Sequence, residues 1–261
     1  SGKDVYCEKP LTLTIDEGRI ISKVVKETGR ILQVGTQQRS DERFLKAVYI
    51  AHSGRLGKIK KVTVNINHNP FSKPLPVVAP PKTLNWDRWK GPTEDVPYRF
   101  LKDGKAGQKL VRTLGDGSAD ASNCHKELRW WLQYSGGKMT DWAAHRVDIA
   151  QWVIDQCGPG DGPTTVKPVM VKTLVPFDED GNPTHNDRYN TPHRFIVHAH
   201  FPNDVLIEIS SEGDNGILIE GTKGRILVNR GRIVGRPIED LESNPLPGGW
   251  LEEMYGGELV E

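Results

Sequence analysis

Val5-Tyr6-Cys7-Glu8-Lys9-Pro10, Thr14-Ile15-Asp16-Glu17 and Ile31-Leu32-Gln33-Val34 decide the fold between them. The first is a short apolar strand candidate that ends in Glu8-Lys9-Pro10. The second is a capping box, with Thr14 as N-cap and Glu17 reaching back to it. Ile20, Ile21, Val24 and Val25 then supply a helical apolar face, and Gly29 stands where a C-cap glycine belongs. The third run is a compact second strand. Strand, helix and strand with short connections make a βαβ unit, which pairs its strands in parallel. One such unit is not a stable sheet, because its edges need pairing. No further unit of this kind follows, so this reading expects the remaining strands before Ser1 and the chain to be a fragment.

Lys9 falls just past the carboxyl end of a parallel strand, where open α/β sheets bind ligands, and Gln37, Gln38 and Arg39 follow the next strand at the same rim. A solvated loop lysine is the plain alternative for Lys9. Downstream, a helix is expected from about Asp41 to Ser53, closed by Gly54. The period then changes to strict alternation over Val62-Thr63-Val64-Asn65-Ile66-Asn67, a strand with one buried face. A long proline-containing segment with Trp86 and Trp89 reads as an ordered loop. Residues 102–123, rich in Gly, Lys, Asp and Ser, read as a mobile surface insertion. Strand candidates at 169–175, 195–201, 205–210, 217–220 and 225–228 imply a predominantly antiparallel sheet, with helices on one face and the other open to a partner. The fold class is therefore α/β passing into α+β.

A second stretch carries chemistry: Gly136-Gly137-Lys138-Met139-Thr140-Asp141-Trp142-Ala143-Ala144-His145-Arg146-Val147-Asp148. A helix from near Thr140 to about Gln156, stopped by Gly158-Pro159, places Asp141, His145 and Asp148 on one stripe. A histidine between two acids can be tuned as a proton acceptor. An ordinary packed histidine with an acid one turn away is the alternative. The Gly136-Gly137 lead-in would let the backbone approach something closely.

With 35 basic and 34 acidic residues the formal charge is +1, which gives no electrostatic case for nucleic acid or an anionic membrane. No apolar run approaches the roughly 20 residues that span a bilayer. Cys7, Cys124 and Cys157 are scattered and odd in number, so they read as reduced thiols. His198-x-His200 has a spacing that metals can use, but nothing completes a ligand set, and no metal is expected. Trp130, Trp131 and Trp142 read as core. No glycine-rich phosphate cradle follows a strand.

Taken together, these pieces resemble the Gfo/Idh/MocA family of NAD(P)-dependent oxidoreductases, which includes inositol dehydrogenases and glucose–fructose oxidoreductase. Glu8-Lys9-Pro10 is similar to the family's E-K-P motif, and Asp141-x-x-x-His145 after Gly-Gly to its D-x-x-x-H motif. Trp86-Asp87-Arg88-Trp89-Lys90-Gly91-Pro92 with Pro97-Tyr98 resembles a loop of sugar-acting members, and Ile219-Glu220-Gly221-Thr222-Lys223-Gly224 a hairpin of the substrate domain. The resemblance covers the chain apart from 102–123. Three departures stand out. The glycine fingerprint of a full Rossmann domain is absent, the helix that usually follows the hairpin and packs back on the fold is absent, and Ala143 stands where glycine is common.

The resemblance implies residues 1–57 as a Rossmann remnant holding the last part of its parallel sheet, and 58–261 as a substrate-binding and oligomerisation domain. It implies NAD or NADP as cofactor, held on this chain by Glu8, Lys9, Pro10, Gln37 and Arg39. It implies a sugar or cyclitol substrate contacted by Lys9, Tyr98, Arg99, Asp141 and His145. Lys9 would hydrogen-bond the substrate hydroxyl beside the nicotinamide, in a family where the Lys-Pro bond is often cis. His145 would take the hydroxyl proton, and Asp141 would orient His145 or contact substrate. Alternatives are an NAD-dependent glycosidase of the same family and an inactive sugar-binding or assembly module. A homo-oligomer through the open sheet face is expected. The compartment is undetermined, with the cytoplasm favoured.

Overall fold

Thr14 caps the first helix as the box predicts: its hydroxyl accepts from Glu17 N, and the Glu17 carboxylate accepts from Thr14 N at 3.1 Å. This computed structural model describes residues 2–102, 111–112, 120–158 and 160–255. Strand β1 (Val5–Glu8), helix α1 (Ile15–Thr28) and strand β2 (Leu32–Gly35) form the βαβ unit, and β1 and β2 pair in parallel. Gly29 closes α1 at φ 60. The helix buries none of its residues, and Ile20 and Val24 are exposed.

After a short 3₁₀ turn at Gln37–Ser40 comes helix α2 (Glu42–His52), capped by the Asp41 side chain. Strand β3 (Ile59–Asn65) follows. A set of short elements comes next: β4 (Phe71–Ser72), α3 (Trp86–Lys90), β5 (Phe100–Leu101), β6 (Val111–Arg112) and β7 (Ala121–Ser122). Helix α4 (Lys138–Val153) leads into β8 (Thr165–Lys172), β9 (Arg194–His200), β10 (Leu206–Ser210), β11 (Gly216–Gly221), β12 (Arg225–Val228) and β13 (Ile233–Val234). The chain ends in α5 (Arg236–Glu239) and α6 (Trp250–Met254).

Seven strands make one sheet in the order β13-β12-β11-β3-β10-β9-β8. All neighbours are antiparallel except β3 with β10. Alternation puts Val62, Val64, Ile207, Ile217, Ile219, Ile226 and Val228 on one face, fully buried. Phe44, Val48 and Ile50 of α2 and Ile149, Ala150 and Val153 of α4 cover that face in one continuous core. The register places Lys167, His198, Glu208, Thr63, Leu218, Leu227 and Val234 in one row of the other face. There Glu208 bonds both Lys61 (3.2 Å) and His198 (2.9 Å).

Two expectations need correction. Residues 102–123 are not simply a surface insertion. Ala121 and Ser122 pair with β5, Val111 and Arg112 pair with β4, and Ala121, Ser122 and Asn123 are buried. The Asn123 side chain accepts from Arg99 N and donates to Pro97 O, and Trp131 Nε1 donates to Ser122 O at 2.8 Å. Residues 103–110 and 113–119 lie outside the described residues. Leu75, Ala121, Trp130, Trp131 and Tyr189 build a second, smaller core here. Helix α4 also stops at Val153, earlier than Gly158 suggested, because Asp155 already takes the left-handed conformation at φ 55.

Candidate active site

The amino end of α4 and the carboxyl end of β1 meet. Helix α4 carries no Ser, Thr, Asp or Asn at its start, and Gly137 is its N-cap at φ 66. The missing cap comes from far away: buried Asn69 accepts from Lys138 N through its side-chain oxygen at 2.7 Å. A Cβ on Gly137 would stand 2.6 Å from that same oxygen and 2.9 Å from Thr191 Oγ1. The glycine therefore admits Asn69 rather than a ligand, which corrects the sequence reading of the Gly-Gly lead-in.

Asp141 sits in the first turn of α4, where the helix dipole favours a carboxylate. Lys9 Nζ donates to both Asp141 O and Asp141 Oδ1, each at 2.8 Å. Arg129 Nη1 donates to Asp141 Oδ2 at 2.7 Å. Lys9 follows β1 directly, and its peptide bond to Pro10 is cis. The structure thus joins Lys9 and Asp141 across 132 residues of sequence. It also supplies a partner that sequence reasoning passed over. No spacing marks Arg129, because it stands on a separate 3₁₀ turn, His125–Trp130.

His145 lies one turn further along α4 and is 5% exposed. Its Nδ1 has no hydrogen-bond partner. No described hydrogen bond joins Asp141 to the imidazole, and Lys9 and Arg129 each hold one of its carboxylate oxygens. Burial first, then the charges of Lys9 and Arg230, push His145 down to about 4, against the opposing pull of Asp141. The ring is neutral at physiological pH and able to accept a proton.

Asp148 leaves this group. Arg39 holds it with two bonds, Nε at 2.7 Å and Nη2 at 2.8 Å, and the same guanidinium lies 4.7 Å from the Trp152 ring centroid. The stripe expected from sequence therefore splits into a buried pair, Asp141 and His145, and a tie between α4 and the turn after β2. Gln37 and Arg39 line an open cleft of about 700 Å³ together with Gly35, Trp152 and Tyr255. Pro10 lines a second cleft of about 470 Å³ with Ile20, Tyr134 and Thr140. Glu8 accepts from the Tyr6 hydroxyl at 3.1 Å.

Tyr98 and Arg99 are not brought to Lys9 or His145 by any described contact. Tyr98 is buried edge-on against Trp86, which stacks on Trp89, and Trp89 in turn meets Tyr134 of the second cleft. Arg99 Nη1 donates to Leu75 O at 2.7 Å. Among the described residues no group of three His, Cys, Asp or Glu is placed to hold a metal. No described helix is long and apolar enough to cross a membrane.

No protein-family model matches the chain. It is 43% identical over 58 residues to the scyllo-inositol 2-dehydrogenase (NAD(+)) of Bacillus subtilis, covering 22% of this chain and 17% of that protein. It is 33% identical over 75 residues to an inositol 2-dehydrogenase of Rhizobium meliloti, covering 29% and 22%. Among solved structures, a super-repressor mutant of Gal80p from Saccharomyces cerevisiae superposes with a TM-score of 0.50 at 17% identity, covering 88% of this chain and 49% of that one. The matched segments are thus about a fifth of the curated relatives, and the chain spans about half of that solved structure. The resemblance to Gfo/Idh/MocA oxidoreductases and their α/β fold is borne out.

Proposed function

We propose that this chain carries the substrate-side half of an NAD(P)-dependent oxidoreductase acting on a secondary alcohol of a sugar or cyclitol. One observation carries the reading: Lys9, from the rim of the parallel pair, is seated on Asp141 one helical turn from a buried neutral histidine. The similarity to inositol 2-dehydrogenases supports it.

The residues present fit the reacting end of a nicotinamide cofactor. The Lys9 ammonium lies at the strand rim, where such rings bind in open α/β sheets, and the His145 Nδ1 on α4 has no hydrogen-bond partner among the described residues. Glu8, Lys9, Pro10, Gln37 and Arg39 would hold that end, with Arg39 already tied to Asp148. The bound cofactor would take up hydride from the carbinol carbon. The chain's own residues supply the rest. Lys9 would donate to the reacting hydroxyl and favour its alkoxide character, while Asp141, itself held by Arg129, keeps the ammonium in place. His145 would receive the hydroxyl proton at an imidazole nitrogen. Asp141 would position Lys9 rather than His145. Tyr98 would shape the wall through the aromatic chain that ends at Tyr134.

The test is NAD+ reduction with scyllo- or myo-inositol by the protein that contains this chain. Lys9→Ala and His145→Ala should each lower kcat about 10²–10⁴-fold. Near-parental turnover in both would overturn the proposal.

A further inference from the structure

Next to His145 the fold buries a cation for which no acidic partner stands among the described residues. Arg146 is 1% exposed, and its Nε and Nη1 have no hydrogen-bond partner among the described residues. Burial of an unpaired guanidinium is costly, and a fold that does so holds the charge ready for something. Burial and the nearby charge of Arg230 pull Arg146 down to about 10, so it stays protonated at neutral pH.

Trp142 is the shared contact of three groups. The Arg146 guanidinium carbon lies 5.5 Å from the indole centroid, that of Arg230 lies 4.9 Å away, and the His145 ring meets it edge-on at 6.4 Å. Arg230 stands in the turn after β12 and is exposed. With the Gln38 amide in its hydrogen-bonding orientation, the amide oxygen accepts from Arg230 Nε at 3.0 Å and Nη2 at 3.3 Å, a neutral partner for a cation. The neighbouring acids are spoken for: Asp41 by Arg43 at 2.7 Å, Asp148 by Arg39, and Asp141 by Lys9 and Arg129. Two arginines thus face one indole beside the histidine with no carboxylate of the described residues between them. Cation–π contact alone does not replace an anion.

We propose that Arg146 and Arg230 form an oxyanion subsite against Trp142, and that the substrate of this site is a sugar or cyclitol bearing a carboxylate or phosphate. The substrate assignment rests on the oxidoreductase reading above; the subsite itself does not. Arg230, at the surface with Nε and Nη2 on Gln38, offers its remaining guanidinium N–H groups to the oxyanion, and Arg146 supplies a desolvated charge beside the same indole. A phosphate of the dinucleotide is the other source of an oxyanion. The position beside His145 favours the substrate, because a ribose separates those phosphates from the reacting ring.

Calorimetric titration of the chain without NAD+, at low ionic strength, tests this with sodium glucuronate, glucose 6-phosphate and glucose. Either anionic sugar should bind at least about 10-fold more tightly than glucose, and added salt should weaken the preference. Arg230→Gln, at an exposed position, should remove the preference, and so should Arg146→Gln, each read only where its melting curve shows a folded protein. Equal binding of all three sugars would overturn the proposal, as would unchanged glucuronate binding in Arg230→Gln. Displacement of the bound sugar by NAD+ would assign the anion to the cofactor and overturn the substrate assignment. Anionic sugar binding without turnover would sink the oxidoreductase reading alone. Turnover of neutral inositol with no preference for anions would sink the subsite alone.

Discussion

His145 is held neutral by its surroundings, and that has a thermodynamic consequence. Its value falls from an ordinary 6.5 to about 4 because the ring is buried beside Lys9 and Arg230. A histidine whose folded value is depressed binds fewer protons folded than unfolded between those limits, so stability is lost as pH falls through that window. Urea unfolding should show the protein losing about 2 kcal/mol more than a His145→Gln variant between pH 7 and pH 5. Equal losses would mean that the ring is not buried among cations. Asp141 and His145 were legible as a helical pair from spacing alone. Their partners were not, because Lys9 and Arg129 reach Asp141 from elements that no periodicity connects to α4.

Helix α4 places the site, and the place where it begins is a tertiary matter. The sequence reading puts its start near Thr140, whereas the helix begins at Lys138 with Gly137 as N-cap. The capping side chain is that of Asn69, which also donates to Pro192 O at 2.6 Å and so ties α4 to the segment before β9. Asn69→Ala should cost about 1–3 kcal/mol in urea unfolding, since the fully buried amide loses its bonds to Lys138 N and Pro192 O. A change below about 0.5 kcal/mol would show that α4 does not depend on this cap. Helix α1 shows the reverse case. Its cap, its stop and its apolar spacing are all local, and all were readable.

In the whole molecule, α2 and α4 cover one face of the seven-stranded sheet from β12 to β9, while the edge strand β8 is exposed. The opposite row, from Lys167 through His198, Glu208 and Thr63 to Leu218, Leu227 and Val234, has no described helix over it. We propose that a second copy of the chain docks there. Leu218→Arg should then shift the sedimentation coefficient toward that of the monomer, and a single unchanged species would refute the arrangement. By itself the sequence determined what is encoded locally: the βαβ unit through its capping box and terminal glycine, the strands through alternation, and the Asp141–His145 pair through helical spacing. Only the tertiary structure decided which charges meet. Lys9 and Arg129 on Asp141, Arg39 on Asp148, and Arg146 buried without an acidic partner among the described residues depend on where distant elements pack. Long-range ion pairing leaves no period in a sequence, because its partners are chosen by folding rather than by neighbouring residues.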